Sequence, residues 1–437
     1  MRMTLTNDTD TGDISMNSEQ ILEQFQEEAP GSRYITKKYL KHFCKEQRKY
    51  IPGKPTHIGH IGRKILEGKT LLKCEGWRIM YLERINIICI LNAKNRCRAI
   101  GKRKQILAPI LYDIHAMEKI EQMKVRGQLD YGIVFCGGGA KGAFQLGVWK
   151  WLEEQGYAER FTGISGASVG ALNALLFAQD DYKKAETVWK SMKKGDLTRP
   201  NKKLLKQVLQ QHLQICFGIG CIPFLNLASV VANWKKTAGL FSRKKLESIV
   251  RENIALEPLQ DKLVYVSLSA LALRVKHFGT RKFVLKPEYT YLDTRSKDSR
   301  EKNIKKVLAS AAYPLAFAPV GVDGKICIDG GALDNEPVYP LIKAGYRKIL
   351  VVHLKKRKKD GKDRLKSFEK RLGKRFSKEE LEGVNICHVW PQQSLKKLLE
   401  IDSELTQMRI NAGYDAAAVQ LEDRFFSDCE RSQGSGS

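Results

Sequence analysis

From Tyr131 onward, short apolar runs alternate with stretches of helical periodicity. Tyr131–Cys136 and Phe161–Ser165 have the length and flanking turns of strands, and Leu263–Leu268 and Lys348–Leu354 are strands of the fully buried kind. Between them, Ala143–Gln155 places Phe144, Val148, Trp151 and Leu152 on one helical face. Ser168–Gln179 is a helix rich in Ala and Leu, and Pro337–Ala344 is a helix between sheet elements. Strands that alternate with helices predict an α/β fold with a mostly parallel central sheet. Upstream the pattern differs. Trp77–Leu82 and Ile85–Leu91 are short apolar runs, the second a strand by its β-branched content. Ile106–Val125 has apolar residues at helical spacing and links this part to the rest, so a small α+β module is expected there.

Two stretches fall outside this alternation. Gln207–Trp234 contains no Asp, Glu, Lys or Arg. Its length would suit a bilayer span of ~20 residues. Gln214, Pro223, Asn226 and the glycines within it argue against a clean spanning helix. A buried helix or lid over the core is the first reading, with a segment dipping into a membrane interface and a true span as alternatives. In the first thirty residues Asp8, Asp10, Asp13, Glu19, Glu23, Glu27 and Glu28 face a single Arg2, which predicts an acidic, polar, mobile tail. A basic region followed by an apolar stretch is missing, so no signal peptide is expected. Ser432–Ser437 reads as a flexible tail or linker.

Charge changes the picture further. Lys plus Arg number 76 against 48 Asp plus Glu, a net of +28 in 437 residues. Such an excess calls for an anionic partner: membrane lipid, nucleic acid or nucleotide. The segment Gly31–Ile110 holds 20 Lys or Arg against 4 acids, a net of +16. A second basic run, Lys355–Arg375, has 12 Lys or Arg against 3 acids and directly follows the Lys348–Leu354 strand. Loops after strands lie at the carboxyl edge of an α/β sheet, where ligands bind. This run reads either as a solvated loop or as a surface that attracts anionic headgroups, each cation there worth about 1 kcal/mol. The ten cysteines show no C-x-x-C pair and no zinc spacing, so free thiols in a reducing cytosol are expected.

Three motifs carry candidate chemistry. Gly166-Ala167-Ser168-Val169-Gly170 fits G-x-S-x-G, with a strand before and a helix after. A nucleophilic serine must stand on a sharp turn at the sheet edge, where side chains two residues to either side would collide. The helix that follows points its positive end at a developing oxyanion. The second motif is Gly137-Gly138-Gly139-Ala140-Lys141-Gly142. It also satisfies G-x-G-x-x-G, but the next strand runs into the serine turn and offers no acid for a ribose, so a dinucleotide site does not fit. A Walker A loop is excluded because Gly142, not Ser or Thr, follows Lys141. Consecutive glycines whose N–H groups converge on one oxygen make an oxyanion hole the better reading. The third motif, Asp329-Gly330-Gly331, follows the apolar Ile326–Ile328 and suits an aspartate leaving a strand edge; an ordinary turn is the alternative. None of the eight histidines sits in a motif-like setting, so the sequence favours a two-residue Ser–Asp arrangement over a Ser-His-Asp triad.

Together, in this order, the three motifs resemble the patatin-like phospholipase family. Ala309–Pro314 with Phe317 and Pro319 resembles the stretch upstream of that family's aspartate, and Asn335-Glu336-Pro337 its N-x-P after it. The resemblance spans roughly residues 130–354. It implies a three-layer α/β/α hydrolase domain over 130–425, with the motif-bearing core at 130–354. The remaining boundaries are a tail at 1–30, a basic module of unknown role at 31–125 and a flexible end at 426–437. It further implies a lipid acyl hydrolase with Ser168 as nucleophile and Asp329 as general base. Gly137, Gly138 and Gly139 would form the oxyanion hole, with Lys141 at the family's basic position, and Gly142, Gly166, Gly170, Gly330 and Gly331 would be motif glycines. Burial at the sheet edge should raise the Asp329 pKa from its usual value near 3.9. Neither a metal nor a cofactor is implied. The expected partners are membrane phospholipids and an anionic membrane surface, reached from the cytoplasm as a peripheral protein, with oligomerisation possible. The alternative is a nucleic-acid- or nucleotide-responsive effector in which the basic module binds the ligand and gates the lipase.

Overall fold

The computed structural model describes residues 18–29, 32–47, 68–193, 195–196, 241–275, 281–295, 299–314, 316–359, 362–395, 399–421 and 423–426. The uncharged stretch Gln207–Trp234 lies outside these residues, as does the end from 427. At the N-terminal side, helices α1 (Ser18–Glu28) and α2 (Lys37–Gln47) precede an antiparallel meander of β1 (Lys69–Cys74), β2 (Trp77–Leu82), β3 (Ile87–Leu91) and β4 (Cys97–Gly101). The long helix α3 (Arg103–Val125) follows. These elements share a core that includes Phe25, Leu40, Phe43, Trp77, Ile79, Ile88, Ile90 and Ile110.

The acidic tail expected to be mobile over residues 1–30 is helical from Ser18 to Glu28. Its composition hides an apolar stripe. Ile21, Phe25 and Ala29 recur four residues apart and are buried, with α1 packed on α3. Glu28, at the end of α1, bonds to Nε2 of the fully buried His115 on α3. His115 Nδ1 lies 3.0 Å from Asp293 Oδ1. Burial works against the imidazolium, but the two carboxylates win and hold the His115 pKa above its ordinary value.

The second half builds an eight-stranded sheet. In chain order its elements are β5 (Tyr131–Phe135), α4 (Ala143–Glu154), β6 (Phe161–Ala167), α5 (Val169–Phe177), α6 (Tyr182–Ser191), α7 (Lys244–Asn253), β7 (Leu263–Val275), β8 (Arg281–Tyr291), α8 (Ser299–Ser310), β9 (Val320–Val322), β10 (Lys325–Asp329), α9 (Tyr339–Ala344), β11 (Lys348–Val352), a two-stranded hairpin of β12 (Lys358–Lys359) and β13 (Lys362–Asp363), α10 (Arg364–Arg375), β14 (Asn385–Val389) and α11 (Ser403–Gln420). Strands β14, β11, β5, β6 and β7 run parallel, while β8, β9 and β10 are antiparallel to their neighbours.

The sheet is covered on both faces, which makes the three-layer α/β/α arrangement. Along β5, Ile133 and Phe135 join the core formed with α4 to α8 and α11, whereas Val134 and Cys136 join the core formed with α9, α10 and the end of α3. Residues buried on both sides explain why these strands read as continuous apolar runs. On α4 the buried aromatics are Phe144 and Trp149; Trp151, expected on the same face as Phe144, is half-buried. The basic run Lys355–Arg375 is not an open loop. It forms the β12–β13 hairpin and α10, whose start is capped by Asp363 Oδ1 accepting from Leu365 N at 2.9 Å. Leu365, Phe368 and Leu372 follow helical spacing and pack on the second core, a stripe that the surrounding Lys and Arg disguise.

One detail of register positions the chemistry. Strand β8 occupies one edge of β7 from Tyr265 to Val275. Strands β6, paired with Leu263–Ser267, and β10, paired with Leu268–Ala270, must therefore share the other edge, end to end. Ala167 aligns with Ser267 and Asp329 with Leu268. Two strands of opposite direction thus finish at adjacent positions on β7, and the turns leaving their ends meet there.

Candidate active site

Ser168 is the residue at which β6 turns into α5. Its φ of 56° and ψ of −126° are a left-handed, strained conformation for a side-chain-bearing residue, of a kind that costs about 1–3 kcal/mol. Surrounding packing holds it. The Ser168 N–H donates to Ser310 Oγ at 3.0 Å, and that hydroxyl donates to Ser267 O at 2.7 Å. A Cβ on Gly166 would stand 2.1 Å from Gly170 O, and one on Gly170 would stand 2.0 Å from Phe135 O. The turn closes only with hydrogen at both places.

Asp329 ends β10 and is 2% exposed. Its Oδ1 accepts from Gly331 N at 2.7 Å, while Oδ2 is buried with no hydrogen bond of full geometry. The Ser168 hydroxyl lies against this carboxyl. Burial pushes the Asp329 pKa up to about 6, against the opposing pull of the Ser168 hydroxyl and the Gly331 N–H. Catalytic hydrogen bonds are often loose before substrate arrives. A Cβ on Gly330 would meet Ser267 O at 2.0 Å, so the chain can leave β10 against β7 only as glycine.

The glycine loop after β5 forms the third side. Gly137, Gly138, Gly139, Ser168, Asp329 and Gly331 all line one cavity of about 610 Å³. Its remaining wall is mainly apolar, with Leu172, Leu246, Val307, Ala311, Phe317 and Leu399. A larger, more open groove of about 930 Å³ runs along β14 and includes neither Ser168 nor Asp329. Gly137 departs from its expected role. Its N–H donates to Asn335 Oδ1 at 3.0 Å, and Asn335 Nδ2 donates back to Gly137 O at 3.3 Å, so this N–H is already used. Lys141 also departs from it: it sits in the short turn Gly139–Gly142, its N–H donates to Gly138 O at 3.3 Å, and it does not line the cavity. Gly138 and Gly139 remain in the cavity wall together with Ser168.

Buried polar side chains fix these pieces to one another. Trp189 Nε1 donates to Asn173 Oδ1 at 2.8 Å, and Asn173 Nδ2 donates to Gln145 Oε1 at 2.7 Å and Gly142 O at 3.0 Å. Gln145 Nε2 donates to Cys136 O at 2.8 Å. This chain ties α5 to the glycine loop. Ser165 Oγ donates to Pro337 O at 2.6 Å and Ser267 Oγ to Asp334 O at 3.1 Å, which pins the segment after Asp329 onto β6 and β7. Gln145 and Asn173 belong to none of the three motifs. Their sequence signal is a lone amide within an apolar stretch of helix, which has to be satisfied when buried. Among the described residues no histidine lines the cavity. We expect Asn335→Ala to lower kcat by about tenfold to a hundredfold, because it frees both the N–H and the C=O of Gly137 next to the nucleophile. Steady-state kinetics on a soluble ester would check this.

Residues 133–342 match the family model for patatin-like phospholipases. The chain carries a patatin-like phospholipase domain. All three glycine motifs and Asn335 of the patatin-like domain fall inside the match, while Lys355 and Leu399 of the cavity wall lie beyond it. Among solved structures, the chain is similar to VipD from Legionella pneumophila, 18% identical over 66% of this chain and 66% of that one, with a TM-score of 0.33. It is also similar to ExoU, in its heterodimeric complex with SpcU from the type III secretion system of Pseudomonas aeruginosa, at 14% identity over 82% and 58%, TM-score 0.28. Human GIVD cytosolic phospholipase A2 is 12% identical over 70% and 61%, TM-score 0.35. The chain thus spans just under two thirds or less of the length of each. Curated proteins give no match. No helix among the described residues is long and apolar enough to cross a membrane.

Proposed function

We propose that the patatin-like domain is a lipid acyl hydrolase that releases fatty acids from phospholipids through a Ser168 acyl-enzyme. The observation that carries this reading is the Asp329 carboxyl, buried and with Oδ2 unpartnered, next to the Ser168 hydroxyl in an apolar cavity. Asp329 takes the Ser168 proton as Oγ attacks the ester carbonyl carbon. The N–H groups of Gly138 and Gly139, with the N-terminal end of α5, stabilise the oxyanion, each such donor being worth about 2.7–4 kcal/mol of barrier. The tetrahedral species collapses, the C–O bond to the alcohol breaks, and the Asp329 proton passes to the leaving oxygen. Water then gives its proton to Asp329 as it attacks the acyl carbon; the bond from that carbon to Ser168 Oγ breaks, the Asp329 proton returns to Oγ, and the fatty acid leaves. An aspartate titrating near 6 is a far better base than one at 3.9, which is the use of its burial. The basic surfaces would bring the domain to anionic lipid as a peripheral protein.

The test is mass spectrometry of lipids from phospholipid vesicles incubated with wild type and with Ser168→Ala. Free fatty acid and lysophospholipid should appear with the first and not the second; equal products from both would sink the reading. The pH profile is a further check. The base must be ionised, so kcat/KM should rise about tenfold per pH unit below about 6 and level off above it. A flat profile between pH 5 and 8 would count against Asp329 as the base.

A further inference from the structure

The groove of about 930 Å³ along β14 lies outside the Ser168 site. Strand β14 ends the eight-stranded sheet and pairs on one side only, with β11. Two bonds fix the direction of its backbone groups. Asn385 N donates to Arg347 O at 2.7 Å, and Val389 O accepts from His353 N at 2.9 Å. Alternate residues of a strand turn N–H and C=O to the same neighbour, so Asn385, Cys387 and Val389 address β11, while Ile386, His388 and Trp390 address the groove. Trp390 is already served there: its N–H donates to Gln420 Oε1 at 3.0 Å and its C=O accepts from Gln420 Nε2 at 2.7 Å. The side-chain amide of Gln420 thus stands where the first peptide of another strand would. Ile386 and His388 have no strand on that side among the described residues. The devices that usually blunt an edge are missing from β14, which has no Pro, no Lys and no break of register.

We infer that this groove takes an extended segment of a partner protein as a ninth strand, a segment in which acidic and apolar residues alternate. Its two banks differ in chemistry. One carries exposed Lys356, Arg357 and Lys358 and is tied to α10, where Arg364 Nε donates to Lys356 O at 3.0 Å. Arg357 pairs with Asp363 at 3.5 Å, and no acid lines the groove among the described residues, so the charges of Lys356 and Lys358 call for an anionic partner. The other bank is the end of α11 with Val419, 71% exposed for an apolar side chain, and Phe425 beyond it. Successive side chains of a strand point to opposite faces of the sheet. Acids at every second position of an added strand would therefore meet Lys356 and Lys358, and the apolar residues between them would cover Val419 and Phe425. A bilayer surface is too flat to reach backbone donors set inside a groove. A second copy would bring its own cations against the same bank, in a chain of net charge +28. The inference does not depend on the hydrolase reading.

The test titrates a fluorescein-labelled peptide of alternating Asp and Val with the full chain and reads fluorescence anisotropy. The peptide should bind at least about tenfold tighter than one of alternating Lys and Val, and Lys356→Glu/Lys358→Glu should reverse that order. Both lysines are exposed, so the variant should keep the circular dichroism of wild type. N-methylation separates strand pairing from charge alone, because the amides of the Asp residues face one side of an extended peptide and those of the Val residues the other. Methylation of one set should abolish binding, and methylation of the other should leave it within about threefold. Equal affinity of the two methylated peptides overturns the ninth strand, and so does a wild type that prefers neither charge. No binding of the acidic peptide overturns the inference as well; phosphatidylglycerol vesicles that then bind wild type but not the charge-reversed variant would make the bank a lipid surface. Dimerisation in light scattering that the peptide competes away would assign the edge to a second copy. A tenfold rise in peptide affinity in Asp8→Asn/Asp10→Asn/Asp13→Asn would assign it to acids of the chain itself. Either result overturns the partner assignment.

Discussion

Asp329→Asn should lower kcat by about 10²–10⁴-fold, the range that a positioned general base supplies, and Ser168→Ala should remove turnover through the acyl-enzyme altogether. Asparagine keeps the shape of the carboxyl, and its Oδ1 can still accept from Gly331 N, so the loss would be chemical and not architectural. The same substitution should stabilise the fold. Burial holds the Asp329 pKa at about 6, above its ordinary value, so the native state resists ionisation. Below about pH 4 both folded and unfolded states carry the proton and the group has no effect. As pH rises toward 6 the unfolded chain ionises first, and native stability falls, at about 1.4 kcal/mol per unit of separation. Asp329→Asn removes that term, so its gain in melting temperature should be present at pH 7–8 and vanish near pH 4. Activity lost with a higher Tm at pH 8 is the expected pair of results. An Asn variant that is less stable than wild type at pH 8 and equally active would remove Asp329 from the centre of the mechanism.

The largest expected effect on folding comes from a residue outside every motif. Helices α4 and α11 cross at Gly147 and Gly413. A Cβ on Gly147 would stand 1.8 Å from Ile410 O and 2.6 Å from Tyr414 N, and one on Gly413 would stand 1.9 Å from Phe144 O. These are backbone atoms of packed helices and cannot rotate away as a side chain could. Overpacking in a core costs typically 1–3 kcal/mol and more where backbone must move. Gly147→Ala should therefore lower stability by about 3 kcal/mol or more, despite the better helix propensity of alanine. Chemical denaturation with circular dichroism would measure it. A change smaller than about 0.5 kcal/mol would mean that the two helices do not cross there. Because α4 carries Gln145, which holds Cys136 O in the strand-to-glycine-loop connection, activity should fall with the fold and not before it.

The alternation of apolar runs and helical stretches from Tyr131 specified an α/β sheet, because a strand covered on both faces has to be apolar throughout. The spacing of Gly166, Ser168 and Gly170 specified a turn too tight for side chains, and the close backbone approaches there are its direct physical consequence. Burial raising the Asp329 pKa was likewise foreseeable from an aspartate at the end of an apolar run. Local composition misled where one face of a helix contradicted its average: the acids of α1 and the cations of α10 concealed Phe25 and Phe368, which are core residues.

Other features belong to the tertiary structure alone. That β6 and β10 finish end to end on one edge of β7 depends on β8 taking the opposite edge, a fact of pairing between segments far apart in sequence. That Gly137 spends its N–H on Asn335, 198 positions away, could not be read from a run of glycines, since hydrogen-bond partners are set by where chains cross. The same holds for the groove along β14, which joins the basic run after β11 to the end of α11. Sequence patterns report the local balance of water and core along one segment; which segments then face each other is decided by packing the whole sheet and its two helical layers at once.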